Sequence, residues 1–158
     1  MKFPVGVQDF EKLLREGYCY VDKTALVYKM VNSGSCYFLS RPRRFGKSLL
    51  LTTIKAYLKG KKHLFKGLAI ESLEKDWTSY PILHLDLNTG LYNEPKGLED
   101  VLSNAVAGWE ALYGKGKEEN TPALRFKGVI QRAFEKTGLP VVVLVDEYDK
   151  PLLYTLDN

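Results

Sequence analysis

The segment Arg43-Arg44-Phe45-Gly46-Lys47-Ser48 combines the residue types that hold a phosphate. A glycine lets the backbone turn tightly, so that N–H groups converge on phosphate oxygens. If a helix begins there, its unbonded N–H groups add partial positive charge at the same spot. In that setting Lys47 reaches the β- and γ-phosphates of a nucleotide and the Ser48 hydroxyl completes a Mg²⁺ shell. Arg43, Arg44, Phe45, Gly46 and Leu49 line the cradle. The match is imperfect. The full pattern has a glycine at the position taken here by Arg41, and Pro42 follows it, fixing one backbone angle and removing one donor. On its own, Gly46-Lys47-Ser48 fits an exposed cationic helix start equally well, and Arg43 and Arg44 fit either phosphate contacts or solvated side chains.

A second constellation narrows the choice. Val141-Val142-Val143-Leu144-Val145 is an unbroken apolar run that ends in Asp146-Glu147. Two carboxylates at the end of a buried strand are costly to leave dry without a cation or water partner. The simplest division of labour gives Asp146 the Mg²⁺ shell and Glu147 the attacking water, with Lys47 stabilising charge on the transferred phosphoryl group.

The elements that must position these residues follow from periodicity. Asp22 suits the N-cap of a helix carrying Leu26, Val27, Met30 and Val31 on one face, with Asn32-Ser33-Gly34 as a left-handed stop. Ser35 to Ser40 reads as a short strand feeding the basic turn. Leu50, Leu51, Ile54, Tyr57 and Leu58 then recur at helical spacing until Gly60. Pro81 to Leu87 reads as another strand. Pro95 opens a helix with Leu98, Val101, Leu102, Ala105, Trp109 and Leu112 on its apolar face, and Tyr113 to Asn120 is a surface loop. Thr121 caps and Pro122 starts a further helix facing inward with Phe126, Ile130, Ala133 and Phe134, stopped by Gly138. A strand apolar on both faces, as Val141 to Val145 is, belongs at the centre of a parallel sheet. Strands alternating with helices give an α/β fold, whose ligands bind beyond the carboxyl ends of the strands.

Composition agrees. The 158 residues, 45% hydrophobic and 27% charged, suit one domain and exclude collagen, a disordered tail and a disulfide-dense module. Cys19 and Cys36 lack metal-ligand spacing and read as buried, reduced thiols; His63 and His84 read as structural. No leader-like or membrane-length apolar stretch is present, so the expectation is a soluble cytoplasmic protein. The net charge of +4 hides an asymmetry: the window from Arg41 to Lys66 holds nine Lys or Arg and no acid, and the remainder is net −5. Lys55, Lys59, Lys61, Lys62 and Lys66 read first as a solvated helix end, with nucleic-acid contact as the alternative.

These strings resemble the predicted AAA-ATPase-like family of bacterial and archaeal proteins. The resemblance is carried by Gly17-Tyr18-Cys19-Tyr20-Val21-Asp22-Lys23-Thr24, Phe38 through Leu50, Tyr80 through Leu87, and Val145-Asp146-Glu147-Tyr148-Asp149-Lys150-Pro151-Leu152. It implies a three-layer P-loop NTPase-like parallel sheet flanked by helices, with ATP and Mg²⁺ as ligands held between the loop at 41–48 and the acidic strand end at 146–147. The segment Arg41 to Phe45 is similar to the family's own variant of the loop. Tyr20 to Thr24 is implied to pack near the nucleotide base. The whole of 1–158 then reads as the N-terminal part of such a domain, with 1–34 an N-terminal segment and 35–158 running from the loop to the acidic strand. The resemblance further implies a missing strand, and a downstream PD-(D/E)XK nuclease-like domain through which the protein would meet nucleic acid.

Three functions remain open at this point. One is ATP hydrolysis by the whole protein, with the activity of this stretch alone left open. Another is a nucleotide-responsive binding module without catalysis. The third is a basic nucleic-acid-binding module whose Arg43 and Arg44 meet backbone phosphates.

Overall fold

The computed structural model describes residues 2–42, 44–89, 92, 96–151 and 153. The chain divides into two compact units, Met1–Ser79 and Tyr80–Asn158. Together they give an α/β chain with six α-helices and a two-stranded parallel sheet among the described residues.

The first unit is helical. α1 spans Phe10–Arg15, α2 Thr24–Ser33, α3 Lys47–Leu58 and α4 Ala69–Leu73. Asp9 caps α1 by accepting the Lys12 N–H at 2.7 Å. The Thr52 hydroxyl ties the start of α1 to α3, accepting from the Phe10 N–H at 3.1 Å while it lies within donating distance of the Gln8 carbonyl. Phe10, Leu13, Phe65 and Ile70 are fully buried between these helices. The Phe10 and Phe65 rings sit 5.0 Å apart, and Trp77 closes the cluster against Phe65 at 5.3 Å and Tyr57 at 5.8 Å. Each such side chain contributes roughly 1.5–3 kcal/mol by leaving water.

The N-cap of α2 is Lys23 rather than the predicted Asp22, which holds the helix start from one residue further out. The Asp22 carboxylate accepts the Thr24 N–H at 2.8 Å, the Thr24 hydroxyl at 2.7 Å and, from α4, the Ala69 N–H at 2.7 Å. The buried Thr24 oxygen in turn accepts the Ile70 N–H at 3.1 Å. One Asp-x-Thr step thus satisfies the first N–H groups of two helices, which otherwise lack partners.

Several expectations are corrected here. Leu26 is 65% exposed and only Val27 is buried on the predicted face of α2. α2 does end at Ser33, but Gly34 is extended (φ −171°, ψ 175°) rather than left-handed. Ser35 to Ser40 forms no strand: it is irregular and, apart from half-buried Leu39, exposed. β propensity expresses fit to a half-buried pleated surface, and no ladder among the described residues supplies one. Both cysteines are free, but Cys36 is exposed rather than buried.

In the second unit, β1 (Ile82–Asp86) and β2 (Val142–Asp146) pair in parallel, in register from Ile82 opposite Val142 to Asp86 opposite Asp146. α5 (Gly97–Tyr113) and α6 (Pro122–Thr137) link them and pack on each other. The predicted start at Pro95 lies outside the described residues. Thr121 caps α6 by accepting the Leu124 N–H at 3.3 Å, and Gly138 ends it in the left-handed region, as expected. Leu83, Val106 and Val129 form the core, ringed by Trp109, Tyr113, Phe126, Ile130 and Val141.

The predicted faces hold at Trp109, Phe126, Ile130 and Ala133 and differ at single positions. On α5, Leu98 and Leu112 are exposed while Val106 and Glu110 turn inward; on α6, Phe134 is exposed and Val129 takes its place. Glu110 turns inward through an ion pair that periodicity counts as polar. Glu110 accepts from Arg125 Nε at 2.9 Å and Nη2 at 2.7 Å, fastening α5 to α6 from within. A second pair, Arg132 to Glu119 at 2.6 and 3.0 Å, closes the connecting loop. β2 is not covered on both faces either: Val143 and Val145 are 41% and 40% exposed, while Leu144 and Asp146 are buried.

Candidate functional site

The loop before α3 has an unusual backbone. Arg44 and Gly46 both lie in the left-handed region, at φ 68° and φ 72°, while Phe45 between them does not. Alternating hand along successive residues turns neighbouring N–H groups to one side and makes an anion-binding concavity. The loop runs directly into the N-terminus of α3, where Gly46 is the N-cap, no side chain caps the helix, and the first turn carries no acid. The positive end of the helix dipole and the free N–H groups of the first turn therefore face whatever lies ahead of the helix.

Lys47 and Ser48 are the first two residues of α3, and Leu49 follows on the same turn; all three are half-buried. Phe45 projects from the loop, 65% exposed. Its N–H donates to the Pro42 carbonyl at 3.3 Å, and its carbonyl accepts from Arg41 Nη1 at 3.4 Å. Arg43 lies outside the described residues. Gly46 is left-handed with open space where a Cβ would point.

The acidic motif sits at the carboxyl end of β2 in the second unit. Asp146 is only 9% exposed, and its Oδ1 accepts the Glu147 N–H at 2.9 Å. Glu147 is left-handed at φ 56°, a conformation that costs a non-glycine residue energy and recurs where function requires it. Its carbonyl accepts the Lys150 N–H at 3.1 Å, which begins the turn that follows.

Sequence reasoning overlooked Asp86. It ends β1 in register with Asp146, so on neighbouring parallel strands roughly 4.8 Å apart the two carboxylates share a face. Asp86 Oδ1 accepts the Asn88 N–H at 2.9 Å, and Asn88 Oδ1 accepts from the Lys150 amine, linking the ends of both strands. The signal was present, because Pro81-Ile82-Leu83-His84-Leu85-Asp86 ends in aspartate as the second strand does. Among the described residues no three His, Cys, Asp or Glu side chains are grouped to hold a metal unaided. No described helix is long and apolar enough to cross a membrane.

The sequence model described as Predicted AAA-ATPase matches residues 4–158, nearly the whole length. The chain belongs to the predicted AAA-ATPase family. A family relative, described as an uncharacterized protein in the vnfD 5′ region of Azotobacter chroococcum mcd 1, is 40% identical over 98% of this chain. The AAA-ATPase-like chain spans 30% of that relative's length. No solved structure matches it.

Proposed function

We propose that this chain is the ATP-binding part of an ATPase, whose complete form hydrolyses ATP on a three-layer P-loop sheet. The observation that carries this reading is the alternation of backbone hand at Arg44 and Gly46, opening into the uncapped start of α3. A concavity of converging N–H groups at a helix N-terminus selects a phosphate over a base or a sugar.

In this reading the Gly46, Lys47, Ser48 and Leu49 N–H groups and the Lys47 ammonium bind the phosphates. Arg43 and Arg44 neutralise charge from the loop, and Phe45 spaces the two halves of the cradle. Ser48 and Asp146 carry oxygen donors of the kind a magnesium ion takes. The Ser48 hydroxyl stands in the first turn, and the carboxylate of Asp146 is buried with a local N–H as its bond. When bound, the ion neutralises charge shared between phosphate oxygens. Asp146 would hold the metal shell, and Glu147 would orient the attacking water. The domain assignment, 1–34 as N-terminal segment and 35–158 as loop-to-acidic-strand segment, belongs to the same proposal. So does nucleic acid as the partner of a nuclease-like domain in the whole protein.

The test is a pair of substitutions in the full-length protein, read by calorimetry and by phosphate release. Lys47→Ala should abolish Mg-ATP binding, while Glu147→Gln should keep binding and lose turnover. Equal ATP affinity in wild type and Lys47→Ala would overturn the assignment.

A further inference from the structure

We infer that Arg41 is a positioning residue that sets the direction of the Gly46 N–H in the phosphate loop. The inference rests on the nucleotide reading of that loop. Arg41 stands where the general pattern has glycine. Its side chain turns back along the loop, and Nη1 donates to the Phe45 carbonyl at 3.4 Å.

That carbonyl belongs to the same peptide unit as the Gly46 N–H. A trans peptide is planar and points its C=O and N–H in opposite directions. Holding the carbonyl towards Arg41 therefore aims the Gly46 N–H the other way, away from the guanidinium. The neighbouring peptide is fixed as well, because the Phe45 N–H donates to the Pro42 carbonyl at 3.3 Å. Phe45 thus has both its backbone groups bonded to residues at the loop entrance, and two left-handed residues flank it. Without the guanidinium, the 45–46 peptide can rotate, since glycine accepts either hand at little cost. A loop with a glycine at the first position obtains its shape from chain flexibility; here a side chain enforces it. Arg41 acts through the backbone and needs no contact with phosphate.

The experiment compares Arg41→Ala and Arg41→Lys with wild type in the full-length protein. Affinities for Mg-ATP and Mg-ADP are read by calorimetry, melting temperature by calorimetric scan, and trypsin cleavage after Arg44 in nucleotide-free protein by mass spectrometry. Loss of one charge-assisted hydrogen bond at an exposed site should weaken both nucleotides by about three- to tenfold, and equally. Arg41→Lys, which keeps one donor, should recover most of that loss. Cleavage after Arg44 should accelerate in Arg41→Ala, with the melting temperature unchanged.

A loss confined to ATP would overturn the inference, because it would mean direct contact with the γ-phosphate. Unchanged affinity, unchanged cleavage or a general fall in melting temperature would each overturn it as well. Failure of the nucleotide reading shows separately, as an unaltered Lys47→Ala titration, while the cleavage readout needs no nucleotide.

Discussion

Replacing Gly46 with alanine separates the folding role of the phosphate loop from its binding role. Gly46 sits at φ 72°, and a Cβ built there meets nothing within 4 Å. The substitution therefore brings no clash, only the cost of holding an L-residue left-handed, about 1–2 kcal/mol. The loop is exposed, so in the free protein the alanine relaxes out of that region and turns its N–H away from the concavity. Apo stability then falls little. The residual strain is partly offset by the ~0.4–1 kcal/mol that alanine gains by restricting the unfolded chain. A net change below about 1 kcal/mol moves the melting temperature of a chain this size by at most ~4 °C. Binding must restore the left-handed conformation, so the same 1–2 kcal/mol appears as a roughly 5- to 30-fold loss of Mg-ATP affinity. The assay is calorimetric titration beside urea unfolding. Gly138→Ala is the matched control, being left-handed at φ 66° with equally open surroundings at the end of α6. It should carry the strain as a stability loss and leave ATP affinity intact. An ATP affinity for Gly46→Ala within twofold of wild type would refute the proposal that this backbone cradles phosphate.

Three further expectations concern the scaffold. Gly60→Ala should destabilise by at least about 1 kcal/mol more than Gly67→Ala in urea unfolding: both are left-handed, but only at Gly60 does the new Cβ run into the Trp77 carbonyl. Gly128→Ala should raise the melting temperature only in a Glu119→Ala background. Alanine gains about 1 kcal/mol of helix propensity in α6, but its Cβ claims the space of the Glu119 carboxylate that Arg132 holds. The Arg125 guanidinium holds the Glu110 carboxyl below its ordinary range through hydrogen bonding first and charge second. Its contribution is therefore fully present above the unfolded value of about 4.3 and disappears as pH falls through the lower folded value. Thermal melts stepped from pH 6 to 3 should show wild type losing more stability below pH ~4.3 than Glu110→Gln, and equal losses would count against the pair.

Local signals carried much of this molecule. Thr121-Pro122 and Gly138 marked the ends of α6 because caps and left-handed stops are written within one turn of sequence. Gly46-Lys47-Ser48 placed the start of α3, and Asp146 the end of β2. What failed needed partners distant in the chain. Ser35 to Ser40 has strand-forming side chains, yet a strand exists only where a neighbour offers its hydrogen bonds. On α5, Glu110 was missed as an inward residue because it was counted as polar, whereas Arg125 fifteen positions away makes it an interior residue. The loop's conformation was equally hidden. Arg44 is an ordinary arginine in sequence, and only the fold shows it left-handed.

The pairing of β1 with β2 has a consequence for how the second unit is made. Each strand waits for the other across the whole α5–α6 hairpin, so the ladder closes a long loop, while the hairpin's contacts are nearer in sequence. On a ribosome the helices can dock as soon as both have emerged, and the sheet must wait for Val142 to Asp146. In pulse-labelled hydrogen exchange, amides of α5 and α6 should gain protection before those of the ladder, leaving Asp146 among the last groups to reach its native surroundings.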